Sequence, residues 1–373
     1  MVVNITAINH GTGGTYVVAY PAGGTAPVAS NINLPAEKVG SNLAIVDLGS
    51  APGFLGQIAL FNALGSADVI VDVEGYFAAP SGSIVGAFHS IPPLRICDSR
   101  GGSGDNTVCA TATGHSSAPL TANAWRRVTV SGVPPGVPMT IPHIPTDGTA
   151  AAAVFNLTAT AGTAPTYLSV AVPTAGDACP TTPPAFSNLN PAPGTSLPNR
   201  VISQLGPTQD ICLYSALGTI NFVIDVNGWF GAAGAPAGAF FYAVPPTRIC
   251  DTRPSNATGC VDGELTANHS LTIGVANVIA VPAWNVHAPP PLAVVANLTG
   301  VAGTAATYFT LYPSDQLSPP RASDLNPSTG EVIANLAITS LAQTGGQGTE
   351  GNVSLYNALG DINAILDVAG WFQ

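Results

Sequence analysis

The chain has 373 residues, of which 8% are charged, against roughly 25% in an average globular domain. Nine Lys and Arg side chains stand against 20 Asp and Glu, a net charge of −11 that excludes a nucleic-acid binder, because phosphates need many more cations. The 41 Gly and 34 Pro residues exclude an α-rich fold, since both residue types end helices. No run of 18 apolar residues occurs, so we expect no helix that spans a membrane.

One segment, here called the A segment, occurs three times, at about residues 1–78, 151–231 and 293–373. Each copy ends in the motif Asp-Val-x-Gly-(Tyr/Trp)-Phe, and the motif begins at Asp72, Asp225 and Asp367. Three further positions are Asn in every copy: Asn4, Asn156 and Asn297; Asn33, Asn190 and Asn326; Asn42, Asn199 and Asn335. Repetition at this scale indicates an array of similar structural units.

A second segment, here called the B segment, occurs twice between the A segments. Its first copy reads Pro92-Pro93-Leu94-Arg95-Ile96-Cys97-Asp98-Ser99-Arg100, and its second reads Pro245-Pro246-Thr247-Arg248-Ile249-Cys250-Asp251-Thr252-Arg253. The order along the chain is therefore A-B-A-B-A, or two and a half units.

The last strand of each A segment is the clearest local prediction. Apolar residues alternate with other residues over Ile220, Phe222, Ile224 and Val226, and the same alternation occurs in the other two copies. The stretch at 331–344 is long enough for a helix, but its counterparts are short and β-branched, so we predict a strand. Together these features predict an all-β fold of tandem β-sandwich or jelly-roll-like domains, with short strands and Gly/Pro-rich turns.

The A and B motifs together resemble a repeat of secreted and surface proteins of actinobacteria and related bacteria. Its unit carries Pro-x-Arg-x-x-Asp-(Ser/Thr)-Arg first, then Val-x-Asn-x-Thr, Ser-Asn-x-Asn and Asp-Val-x-Gly-(Tyr/Trp)-Phe. This chain departs from the pattern with Cys97 and Cys250, where an aliphatic residue is usual. The resemblance implies no catalytic activity for the repeat itself. It divides the chain into an orphan half unit at residues 1–78 and two full B-plus-A repeats at 79–231 and 232–373.

If A and B segments share one sandwich, residues 1–78 cannot bury their hydrophobic face alone. We expect a neighbouring chain, an upstream B segment or the next unit to cover it. A half unit that is completed by the end of another protomer would give head-to-tail contacts that do not close, and such contacts polymerise.

Six cysteines allow 15 pairings, and the repeats favour one of them. Cys97 with Cys109 and Cys250 with Cys260 occupy equivalent places in the two B segments, which leaves Cys179 to pair with Cys212. The Cys-x-x-Cys spacing of a zinc site is absent. Disulfides imply an oxidising, extracellular setting.

Repeated polar residues are the remaining candidates for a site. We expect the Asn and Asp positions of the A segments to bind backbone groups at turns and bulges, with a glycan or Ca²⁺ site as the alternative. In a chain with so few charges, the repeated Arg-Asp-Arg clusters predict buried ion pairs with the Asp72-type carboxylates. A bound acidic glycan is the alternative for these clusters: Arg95, Asp98, Arg100, Arg248, Asp251 and Arg253.

No serine-hydrolase, zinc-protease or Walker motif is present, and the one Gly-x-Gly-x-x-Gly, at Gly346, Gly348 and Gly351, precedes a predicted strand. We therefore predict a non-enzymatic protein without a cofactor, located outside the cell or on its surface. It would be a self-assembling subunit of a filament, fibre or sheath, with copies of itself as partners and cell-wall or matrix glycans as possible further partners. The alternative is an adhesion or carbohydrate-binding module whose exposed aromatic residues stack on sugars: Trp125, Trp284, Trp229 and Trp371.

Overall fold

The structure is a computed structural model of residues 1–373. It describes all residues except 79–85, 102–108, 112–113, 136, 175, 177, 255–257, 261–262, 279–280, 285–288 and 345–349. Gly346 and Gly348 of the glycine motif lie outside the described residues. The described residues are all β, which confirms the predicted fold class.

The N-terminal A segment contains six strands in two three-stranded sheets. They are β1 (Val2–Asn9), β2 (Thr15–Pro21), β3 (Ile32–Leu34), β4 (Val39–Ile45), β5 (Ile58–Asn62) and β6 (Ala67–Gly75). One sheet has the order β4-β1-β6 and the other β3-β2-β5. Apolar residues of both sheets, among them Ile5, Val17 and Ala44, form one core between them.

The first full repeat contains strands from its B segment followed by strands from its A segment. They are β7 (Phe88–Asp98), β8 (Cys109–Thr111), β9 (Gly114–Ser116), β10 (Ala124–Thr129), β11 (Ala150–Thr160), β12 (Leu168–Ala171), β13 (Ser196–Gln204), β14 (Asp210–Ser215) and β15 (Asn221–Gly231). The sheets are β13-β11-β15-β7 and β10-β14-β12, with β8 and β9 paired separately. The B strands β7 and β10 thus each add one edge strand to an A sheet.

The second full repeat has the same arrangement. Its strands are β16 (Phe241–Asp251), β17 (His269–Gly274), β18 (Ala293–Val301), β19 (Phe309–Pro313), β20 (Val332–Ser340), β21 (Asn352–Asn357) and β22 (Asn363–Phe372). They form the sheets β16-β22-β18-β20 and β17-β21-β19. The strand predicted within 331–344 is confirmed as β20.

The chain divides into two compact units. One comprises Met1–Ala79, Phe240–Pro319 and Ser323–Gln373, and the other comprises Pro80–Ala239 and Pro320–Ala322. The N-terminal half unit therefore belongs to the same compact unit as the second full repeat. The first full repeat, with three residues from 320–322, forms the other unit.

Candidate functional site

The repeated Arg and Asp residues join B strands to A strands. Arg95 of β7 donates two hydrogen bonds to Asp225 of β15, from Nε at 2.9 Å and from Nη2 at 3.2 Å. In the second full repeat Arg248 binds Asp367 in the same way, at 2.8 and 3.2 Å. Two parallel hydrogen bonds between charged groups are strong and directional. These pairs therefore fix the register between the two segments of each repeat.

The other members of the Arg-Asp-Arg clusters support these pairs. Arg100 donates to Asp98 at 2.9 and 2.6 Å, and Arg253 donates to Asp251 at 2.9 and 2.7 Å. Burial opposes the ionisation of Asp98, but the hydrogen bonds from Arg100 and the nearby Arg charges outweigh it and lower its pKa below the ordinary value. The pKa of Asp251 is lowered against burial in the same way, mainly by Arg253.

Asp72 occupies the same position in the half unit as Asp225 and Asp367, and it forms no ion pair with any described residue. Its strand, β6, pairs on one side with β1, where Asn4 lies opposite Asp72. The other side of β6, where β7 and β16 lie in the full repeats, has no strand among the described residues. Burial raises the pKa of Asp72, and no cation offsets this effect.

The missing B strands also leave core-facing positions of β5 and β6 exposed. Leu60 is 40% exposed, whereas its counterparts Leu213 and Leu355 are 0% exposed. Val73 is 66% exposed, whereas Val226 and Val368 are 0% exposed. Among the described residues, the edges of both sheets in the half unit are therefore unpaired and expose apolar side chains, and such edges pair readily with further strands.

The glycine of the Asp-Val-x-Gly motif shows what is absent from this edge. A Cβ atom on Gly228 or Gly370 would overlap the ring of Phe88 or Phe241, which the B strand places directly on the glycine. A Cβ atom on Gly75 would meet no atom of the described residues within 4 Å. The half unit therefore has the motif glycine, but no aromatic ring of the described residues packs on it as Phe88 and Phe241 pack on Gly228 and Gly370.

The next residue of the motif follows the same pattern. Trp229 stacks on His89 of the B strand with ring centroids 3.8 Å apart, and Trp371 stacks on Tyr242 at 4.3 Å. Tyr76, their counterpart, is 79% exposed. These stacks also correct the expectation that all four tryptophans are exposed, because Trp229 and Trp371 are buried, and Trp125 and Trp284 are half-buried.

The repeated asparagines form hydrogen bonds within each A segment, and one of the repeated sets binds backbone carbonyls. In every copy one side-chain amide donates at 2.6 Å to the carbonyl of the residue eleven positions earlier, from Asn42, Asn199 and Asn335. A second set donates to the hydroxyl of the serine three positions earlier, from Asn33, Asn190 and Asn326. Asn156 donates to the Thr158 hydroxyl at 3.3 Å. Asn4, like Asn156, is completely buried.

Asn42 and Asn297 have a role that the sequence analysis missed. Asn42 donates to Oδ1 of Asn297 at 2.9 Å and accepts from the amide of Leu336 at 2.8 Å. Asn297 in turn donates to the carbonyl of Ser30. Phe77 adds ring contacts with Phe241 and Phe372, at 4.6 and 6.1 Å. These contacts bind the half unit to the second full repeat of the same chain, which is not the next unit along the chain.

Strand β22, at the end of the chain, is paired on both sides, with β16 of its own B segment and with β18. An edge of β22 is therefore not open to the half unit of another chain.

Three disulfides join the expected cysteines: Cys97 to Cys109, Cys179 to Cys212, and Cys250 to Cys260. No free cysteine is found among the residues described. Cys97 and Cys250 lie two residues after the ion-paired arginines on β7 and β16, so two of the disulfides each close a loop within a B segment.

Three further observations concern ligands and membrane spans. A shallow, mostly apolar cavity of about 380 Å³ lies among residues 14–16, 33–35, Leu64 and 330–332. Within the described ranges, no three His, Cys, Asp or Glu side chains lie close enough together to hold a metal ion. None of the described residues belongs to a helix with the length and hydropathy of a membrane span.

Comparison with known proteins does not identify a family for this chain. No family model matches the chain, and no curated protein matches it. One solved structure with some similarity is the N-terminal CBM22-1-CBM22-2 tandem domain of Xyn10C from Paenibacillus barcinonensis, at 8% identity. It covers 76% of this chain and 100% of its own length, with a TM-score of 0.19, and a likeness at this level carries no argument.

Proposed function

We propose that this chain is a non-enzymatic extracellular structural protein, and that it assembles into a filament, fibre or sheath on the cell surface. One observation carries the proposal: in the described part of the chain, the N-terminal half unit has two unpaired sheet edges, at β5 and β6, that expose apolar side chains. Addition of a strand to an exposed edge is a common way for proteins to associate, because main-chain hydrogen bonds supply affinity and side-chain pockets supply specificity.

The use of the repeated charges supports a structural role. The carboxylates of Asp225 and Asp367 and the arginines opposite them are taken up by pairs that join strands. The three disulfides are typical of proteins that fold in an oxidising compartment outside the cytosol. A surface with few charges also lacks the repulsion that keeps protein molecules apart.

Electron microscopy and light scattering on the protein from its native source test the proposal. We expect polymers, and we expect Val73→Lys to prevent their formation because it places a charge on the open edge. Leu317→Lys is the matched control, since Leu317 is an exposed apolar residue outside this edge. A native protein that remains monomeric at high concentration, or equal assembly of both variants, would contradict the proposal.

The alternative is a carbohydrate-binding or adhesion module, and the cavity beside Tyr16 is the observation that favours it. Tyr16 would supply an aromatic face for a sugar ring, and Asn33 and Glu331 would supply polar groups. Glycan-array binding that Tyr16→Ala abolishes and Tyr76→Ala leaves intact would establish this function instead.

A further inference from the structure

We propose that the open edge of β6 is an acceptor site for one kind of strand: a B-type segment of a neighbouring chain, with its arginine opposite Asp72 and its aromatic ring on Gly75. The inference rests on the assembly role proposed above and names the partner segment for it. The first argument is register. In the full repeats the B strand places Arg95 opposite Asp225 and Arg248 opposite Asp367, and β6 presents Asp72 at the same position.

The second argument is that the half unit carries the same three groups that a B strand contacts in the full repeats, but these groups lack that contact among the described residues. Asp72 has no ion pair with a described residue, Gly75 has open space where Phe88 and Phe241 lie in the full repeats, and Tyr76 is exposed. Ile70, Val71 and Val73 of β6 are exposed apolar residues, although β6 also carries Asp68 and Glu74. Exposed apolar positions on an edge strand favour pairing with a further strand.

A hydrogen-bonding position at the far end of the edge agrees with this register. In the full repeats the hydroxyls of Ser99 and Thr252 accept from the amides of Phe222 and Ala364, at 2.7 and 2.9 Å. The counterpart of these two amides is the amide of Val69. The Ser or Thr of the B motif, four positions after its Arg, would lie beside this amide.

The donor segment lies outside residues 1–373. The chain has three A segments and two B segments, and β7 and β16 already pair with β15 and β22. If copies of this chain exchanged their B segments, each chain would still have one A segment without a B strand, because it has three A segments and two B segments. In keeping with the assembly role proposed above, we assign this further segment of the B type to a neighbouring chain.

A peptide of residues 241–253 with Cys250→Ser provides the probe. Labelled with a fluorophore and titrated with the full chain, it should bind at one site per chain, and hydrogen exchange should slow in residues 67–75. We expect Asp72→Asn to weaken binding about tenfold or more, since hydrogen bonds between charged groups are lost. Arg248→Gln in the peptide should weaken binding equally, with no further loss when the two changes are combined.

Gly75→Val supplies a second test that does not depend on charge. The free chain has open space at Gly75, so its melting temperature should not change, whereas the added side chain would occupy the place of the Phe241 ring and abolish peptide binding. Gly13→Val is the control, because a side chain at Gly13 also meets open space but lies away from this edge.

The proposal is overturned if the peptide does not bind, or if it binds wild-type chain, Asp72→Asn and Gly75→Val alike. It is also overturned if two copies of the chain pair edge to edge through β6 and the peptide does not displace them. If Val73→Lys disrupts native polymers but peptide binding does not depend on Asp72, the assembly role holds and this inference fails. If peptide binding depends on Asp72 but the protein forms no polymers, the inference about the β6 edge holds and the assembly role fails.

Discussion

Asp225→Asn and Asp72→Asn are the same substitution at equivalent positions, and they should have opposite effects on stability. Asp225 is buried and binds Arg95 through two hydrogen bonds, at 2.9 and 3.2 Å. Asp72 has no ion pair with the described residues, and burial raises its pKa. The difference between the two variants therefore measures what the ion pair with the B strand contributes to the stability of an A segment.

The expected magnitude follows from the surroundings of Arg95. Removal of one partner from a buried ion pair costs about 3–5 kcal/mol. The Arg95 side chain is 14% exposed and retains Asp98 at 3.6 Å, so we expect a cost at or just below the lower end of that range. Asp225→Asn should therefore destabilise its unit by about 2–3 kcal/mol, or about 5–10 °C in melting temperature.

Asp72→Asn should leave stability unchanged or raise it. A carboxyl whose pKa is higher in the folded than in the unfolded state favours folding when protonated, so its ionisation at neutral pH weakens the fold. The neutral amide removes that cost. Calorimetry should be combined with hydrogen exchange of β6 and β15, because the two residues lie in different compact units. Equal losses of stability in both variants would refute the assignment of Asp72 as an unfilled partner.

Three further predictions concern binding and stability. Affinity for the peptide of residues 241–253 should rise with pH as Asp72 of the free chain ionises, because the peptide arginine binds the charged form, and Asp72→Asn should reduce this dependence. β1, which pairs with β6, carries no titratable side chain; β6 itself also carries Asp68 and Glu74, and the peptide carries Asp251. Asn42→Ala should cost about 2–3 kcal/mol in urea unfolding, because Leu336 and Asn297 lose buried hydrogen bonds. Asn33→Ala, which removes a single bond to Ser30, should cost about 1 kcal/mol, and equal costs would count against the role of Asn42. Replacement of Cys179 and Cys212 by serine should destabilise the first full repeat by about 2–4 kcal/mol in the same assay, and no change would show that this link adds nothing.

The fold and the ion pairs could be predicted from the sequence because each leaves a pattern in the repeats. Apolar alternation in three copies predicts the strand at β15 and its equivalents, since a strand with one buried face needs a period of two. The pairing of Arg95 with Asp225 follows from the scarcity of charge, because few other partners exist. Equivalent cysteines in the two B segments single out one pairing among 15.

Other features depend on packing between distant segments, which a repeat pattern does not contain. Asn42 looks the same as Asn199 and Asn335 in sequence, yet its contacts with Asn297 and Leu336 depend on how the half unit lies on the second full repeat. Arg200 is completely buried and donates to Asn227, although its counterparts are Leu43 and Leu336. The prediction that Trp229 and Trp371 are exposed is wrong, because residue type alone does not show that a ring from another strand covers them.

A cryo-electron microscopy map of the native assembly tests the central claim most directly, since it resolves what lies along β6. We predict a strand hydrogen-bonded to residues 67–75, with an arginine side chain that reaches Asp72 and an aromatic ring that covers Gly75. A map in which this edge faces solvent, or in which β6 of one copy pairs with β6 of another, would contradict the account.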